Sequence, residues 1–255
     1  MVLEVTRVGD TVTLDASGIR YQELNECLRR LVADGIKKIN LVNVCGQRYI
    51  GDGLEQPVEI DIQGTPGNDL GAFMNGPLIS VHGNAQDCIG NTMNDGLIVV
   101  HGHAGDITGM AARGGKIFIR DYVGYRAGIH MKEYGEQKPS LVIGGTAQDF
   151  CGEYMAGGVL VLLGLGQGKD ERHRVHFLGT GMHGGVIYLS GSVEPSQLGK
   201  EVAVAALEEA DRSVLEKLVV EFAGYFGCDA AVILSHEFSK VYPRWLRPYG
   251  RLYAY

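Results

Sequence analysis

Glycine recurs through this chain with a period of nineteen residues, and that period restricts the fold more than any other feature. Gly64, Gly83, Gly102, Gly145 and Gly164 hold one phase. Gly71, Gly90, Gly109, Gly128, Gly152 and Gly179 hold a second, and Gly96, Gly115, Gly158 and Gly185 a third. Steps of seven, six and six residues complete a unit. A fixed period near twenty is the signature of a solenoid, in which each unit buries its apolar side on the next.

The columns between the glycines give the kind of solenoid. Ile60, Ile79, Ile98, Ile117, Leu141, Leu160 and Ile187 share one position, and Ile62, Val81, Val100, Ile119, Ile143, Leu162 and Leu189 fall two residues on. An apolar i, i+2 pair rich in β-branched residues reads as a short strand. Met74, Met93, Ala112, Met131, Met155 and Met182 form a third column, suited to filling a narrow interior. Glycine supplies the positive φ or tight turn that lets each coil close. The expected fold is an all-β core, a single-stranded parallel β-helix of about seven rungs, roughly 30 Å long at ~4.8 Å per rung.

We divide the chain into an α/β N-terminal cap (1–50), the β-helix (51–193) and a C-terminal segment of helices with an aromatic, arginine-bearing tail (194–255). In the cap, residues 3–15 read as a hairpin turning at Gly9-Asp10. Arg20–Asp34 has helical spacing and stops at Gly35, and Lys38–Val44 alternates as a strand. Beyond the rod, Lys200–Ala210 is expected to be helical. Ser213–Glu216 has the form of a capping box opening a second helix to about Phe226, and Cys228–Phe238 suggests a third.

Two insertions break the register. One adds five residues near Lys132–Pro139 and the other eight around Gly168–Arg174. Insertions in solenoids become surface loops, often on a binding face. Charge runs are commonly just solvated, yet as the departures from register these mark Lys169 and Arg172 as candidate partner contacts. Trp245 and Arg247 in the tail Tyr242–Tyr255 are further candidates, since Tyr, Trp and Arg dominate interface hot spots. The alternative is a tail folded back on its own rod.

A net charge of −7 argues against non-specific nucleic-acid binding. The chain has no apolar run of membrane-spanning length and no charged-then-apolar leader, which points to the cytoplasm. Cys27, Cys45, Cys88, Cys151 and Cys228 are odd in number and widely spaced, and read as buried free thiols. Gly179–Gly184 formally matches GxGxxG, but a strand of the repeat follows where a dinucleotide site needs a helix. The phosphate-loop resemblance at Gly164–Lys169 fails at Leu163 and Asp170. His82 and His101, with His103 nearby, read as a ladder at a corner rather than a metal site. Asn68, Asp87, Asp106 and Asp149 read as turn residues accepting backbone N–H groups rather than a calcium site or a lyase-type cleft. No Ser–His–Asp or Cys–His set can be argued from spacing.

The repeat, with Val123–Met131 and Ile143–Gly158 as its most characteristic segments, resembles the GXGXG domain of glutamate synthase. The resemblance covers roughly residues 20–245. It implies a right-handed β-helix that acts as a structural spacer and carries no catalytic residue. The family's glutaminase cysteine lies in an amidotransferase region, and its FMN and iron–sulfur cluster lie in a flavin barrel. Both regions would here be partner subunits, and the chain itself would hold no cofactor. The same rod occurs in formylmethanofuran dehydrogenases, the second reading. A carbohydrate-active β-helix enzyme using Asp87, Asp106 and Asp149 is a third. A homo-oligomer is compatible with all three.

Overall fold

Among the described residues twelve strands form one sheet whose spatial order follows the chain until the last two positions, which exchange. The computed structural model describes residues 5–168 and 173–245. Strands β4 (Glu59–Thr65), β5 (Asn75–His82), β6 (Asp95–Val100), β7 (Lys116–Ile119), β8 (Ser140–Ile143), β9 (Ala156–Leu162) and β10 (Gly184–Ser190) run parallel. These seven strands, separated by six turns of the coil, are the expected β-helix. Both apolar columns are register columns: Ile60, Ile79, Ile98, Ile117, Leu141, Leu160 and Ile187 are successive partners, and so are the residues two positions on. All are buried in one continuous interior.

The rest of each coil is a pair of overlapping β-turns. In one rung the Ala72 amide donates to the Asp69 carbonyl and the Met74 amide to the Gly71 carbonyl. The same pair recurs at residues 88–93, 107–112, 126–131, 150–155 and 177–182. Positive φ falls at the third residue of each turn, as type II geometry requires. In the first turn that residue faces the interior and must be glycine. Gly90 has φ +67°, and a Cβ there would stand 2.3 Å from Ile117 Cδ1. In the second turn Phe73 and Tyr154 adopt φ of 57° and 51° yet keep exposed side chains, because that corner faces outward. The methionine column closes the second turn and is buried throughout.

Not every glycine makes a turn. Gly102 lacks positive φ, and a Cβ there would meet Asn84 Oδ1 at 2.2 Å and Gly83 O at 2.7 Å. Gly83 and Gly145 of the same phase likewise lack positive φ and abut the preceding coil, whereas Gly64 and Gly164 have it, which corrects the expectation that all these glycines supply turns.

The cap shares the rod's sheet. β1 (Val5–Val8) and β2 (Thr11–Asp15) form the predicted hairpin. Helix α1 (Tyr21–Ala33) leads to β3 (Lys38–Cys45), which lies parallel between β2 and β4. Leu24, Leu28 and Val32 of α1 join the interior core.

On the sheet's outer face one register column reads Thr13, Asn40, Asp61, Ser80, then Val99, Phe118, Val142, Val161, Tyr188. Helix α2 (Glu209–Phe226) packs on the apolar part, with Leu215, Leu218, Val219 and Phe222 in a second core. Phe118 and Phe222 meet nearly edge to face, 6.2 Å between centroids at 77°. Lys116 pairs with Glu221, and Asp211 takes both the Tyr188 hydroxyl and Lys240 at 2.7 Å.

The C-terminal expectations need correction. Lys200–Ala210 is not a helix: β11 (Val202–Ala206) lies there, paired antiparallel with β12 (Phe238–Pro243). Its alanines favour helix locally, but the edge left by β12 binds the segment as a strand. Helix α2 begins before Ser213, under a capping box formed by Glu208 and Asp211. The third expected helix shrinks to α3 (Ala230–Leu234), capped by Asp229. Of the thiols only Cys151 is buried, and burial pushes it up to about 12; Cys45 is exposed and the other three lie between.

Candidate partner-docking surface

The double turns place two columns of side chains on the outside corner. Both leave residues with positive φ, so in every coil they depart from the same backbone geometry. One column is Asp69, Cys88, Ile107, Arg126, Phe150 and Phe177. The other is Phe73, Thr92, Ala111, His130 and Tyr154, ending at Gly181. Identical dihedrals one rung apart bring successive rings face to face at the strand spacing.

In the later rungs the corner becomes aromatic. Phe150 and Phe177 stack at 4.8 Å and 10°, and His130 and Tyr154 at 5.4 Å and 11°. The Arg126 guanidinium lies 4.7 Å from the Phe150 centroid and also pairs with the buried carboxylate of Glu153. Tyr154 lies over Gly181, where a Cβ would come within 2.4 Å of its ring. Tyr125, Tyr154 and Phe177 nevertheless remain 48, 42 and 50% exposed. Exposed aromatics around an arginine, with the rings held by stacking, have the composition of an interface core.

The residues proposed from the sequence fare differently. Lys169, Arg172 and Arg247 lie outside the described residues. Trp245 follows β12 and is 71% exposed. The first insertion is a small exposed loop closed by the bridge Tyr134–Gln137. The aspartate column accepts backbone N–H groups as expected, but from the next coil rather than from its own turn: Asp87 accepts from the Asp106 amide at 2.9 Å, Asp106 from that of Tyr125 at 2.8 Å, and Asp149 from that of His176 at 2.9 Å. Carboxylates tied up this way suit stacking of coils better than acid–base work.

His82 and His101 stack at 5.0 Å, and His103 stacks on Tyr122 at 4.8 Å. His101 also meets Phe226 edge-on, and burial, then His82, holds its pKa below the usual value. Among the described residues no group of His, Cys, Asp and Glu is placed to hold a metal ion.

Sequence reasoning missed the aromatic corner. The signal was present two residues before and two after each second-phase glycine, where Arg126, Phe150, Phe177, His130 and Tyr154 fall in register.

Fold and surface define the class: a parallel β-solenoid with an outward aromatic corner. Residues 35–249 match the GXGXG motif model, and the chain belongs to that family. It is 47% identical over 253 residues to the uncharacterized protein MJ1350 of Methanocaldococcus jannaschii, covering 96% of this chain and 97% of that one. Its fold matches a chain in the crystal structure of the formyltransferase/hydrolase complex (FhcABCD) from Methylorubrum extorquens in complex with methylofuran. The TM-score is 0.59 at 20% identity, over 91% of each chain. That likeness is one of fold.

Proposed function

We propose that this chain is a non-catalytic scaffold subunit of a cytoplasmic glutamate synthase-type complex, which converts glutamine and 2-oxoglutarate to glutamate. The rod would hold a flavin-barrel subunit and a glutamine amidotransferase subunit in fixed relation, with FMN and the iron–sulfur cluster in the barrel. The observation that carries the reading is the stacked corner of Arg126, Phe150, Tyr154 and Phe177 on a rod held rung by rung by hydrogen bonds. Family membership supports it. On this reading the cap at 1–50 and the segment at 194–255 close the two ends of the rod.

A second reading, a scaffold in a formyl-group-transferring complex, is favoured by the fold match over 91% of both chains. Co-expression with candidate barrel and amidotransferase subunits tests the first. A stable complex showing flavin absorbance is the expected result. Flavin or turnover in the isolated chain overturns the scaffold role, and failure to associate overturns the partnership. Association instead with formyltransferase-type subunits selects the second reading.

A further inference from the structure

Among the described residues the sheet ends on two edges of different character. At one end β1 carries Arg7, and an edge strand bearing a charge resists further pairing. At the other end β11 is Val202-Ala203-Val204-Ala205-Ala206, with no charge, proline or glycine. A strand of that composition at a sheet edge is a template for another strand.

Hydrogen-bond parity shows which groups are offered. The Arg244 amide donates to the Glu201 carbonyl, and the β11–β12 register continues through Ala203–Tyr242 and Ala205–Lys240. Those residues therefore turn their backbone groups toward β12, and Val202, Val204 and Ala206 turn theirs outward. The β10–β12 pairing agrees, since the Gly191 amide donates to the Glu237 carbonyl and the alternation leaves Lys240 and Tyr242 facing β11. On the open side, Arg244 Nε donates to the Val202 carbonyl at 2.7 Å. Val204, 41% exposed, stands at the centre of the edge.

We infer that this edge pairs with the same edge of a second copy, joining two rods end to end about a two-fold axis at Val204. Antiparallel self-pairing centred there sets Val204 opposite Val204 and Val202 opposite Ala206, so the outward groups face each other. The Val202 carbonyl keeps a second lone pair for the Ala206 amide of the other copy. The same register sets Lys200 opposite Glu208 twice, once on each side of the axis. Both residues are exposed and lie two positions beyond the strand, Glu208 at the cap of α2, so the strand is complementary to itself in hydrogen bonding and its flanks in charge. Small alanines at 203 and 205 leave room at the crossing. The inference is independent of which enzyme subunits the rod carries.

Sedimentation velocity of the full chain over a concentration series tests it. A dimer is expected, abolished by Val204→Pro, with circular dichroism to confirm that the rod stays folded. Lys200→Glu alone places like charges opposite each other and weakens the dimer roughly tenfold, from two surface pairs reversed in sign. Mixing the Lys200→Glu chain with a Glu208→Lys chain restores opposite charges at both positions and rescues association as a heterodimer. A wild-type monomer at all concentrations overturns the inference. So does a dimer indifferent to Val204→Pro, or one that the charge-swapped mixture fails to rescue. Pairing of this edge with a different protein's strand while the chain alone stays monomeric also overturns it.

Discussion

The Arg126 guanidinium lies 4.7 Å from the centre of the Phe150 ring while its Nη1 holds Glu153, itself almost fully buried. One side chain thus ties an aromatic stack to the backbone turn of the next rung, since the Glu153 amide donates to Phe150 O. The exposed rings of this corner are fixed before any partner arrives, so docking loses little side-chain entropy.

The inward and the outer positive-φ positions at the third residues of each double turn should respond oppositely to substitution. Gly90→Ala places a Cβ 2.3 Å from Ile117 Cδ1 at φ +67°, and is expected to cost several kcal/mol. Ala111→Gly, at φ +53° on the outer corner, relieves backbone strain and should be neutral or stabilising by under about 1 kcal/mol. Chemical denaturation of the two variants checks both signs.

Phe222 joins α2 to the rod through Phe118 and packs on Phe226 of its own helix. Phe222→Ala is expected to cost about 3–5 kcal/mol. Loss of the helix would bare Val99, Phe118, Val142 and Val161, so the variant should bind a hydrophobic dye before the rod's strand signal is lost on heating. Simultaneous loss of both signals would contradict a separate outer core.

His173 makes stability depend on pH. Burial lowers its pKa to about 4, and its Nε2 faces Ser190 Oγ, which donates its own proton to Leu163 O. That nitrogen therefore carries the hydrogen, and the folded ring is neutral. Unfolded, the group titrates near 6.5, so between there and pH 4 the unfolded chain binds the extra proton and stability falls as pH falls. The expected loss from this residue is about 2 kcal/mol at pH 5 and none above neutrality. His173→Gln should flatten the urea-unfolding midpoint over that window, and an unchanged slope would contradict the assignment.

The interior was legible because its constraint repeats. Each of Ile60, Ile79 and Ile98 meets the same neighbours one rung later, so the register appears in the sequence as a period. The outer face carries no such period. The change from Ser80 to Val99 in a single column marks where α2 lies, but it becomes meaningful only when the helix that covers it is known. Val202–Ala206 misled because alanine-rich composition signals helix, whereas the open edge of β12 supplies the pairing that decides. The docking corner was visible only as residues flanking a glycine, since Phe150 and Phe177 share a phase only once the eight-residue insertion between them is discounted.

The central claim is that the rod works by presenting this corner to partner subunits. The most direct measurement is the affinity of the full chain for the co-purifying subunits, wild type against Tyr154→Ala/Phe177→Ala. Thermal unfolding serves as the control for folding. The prediction is a loss of affinity of tenfold or more, at about 2–4 kcal/mol for two interface aromatics, with the unfolding midpoint nearly unchanged. Equal affinity in the two proteins would contradict the account.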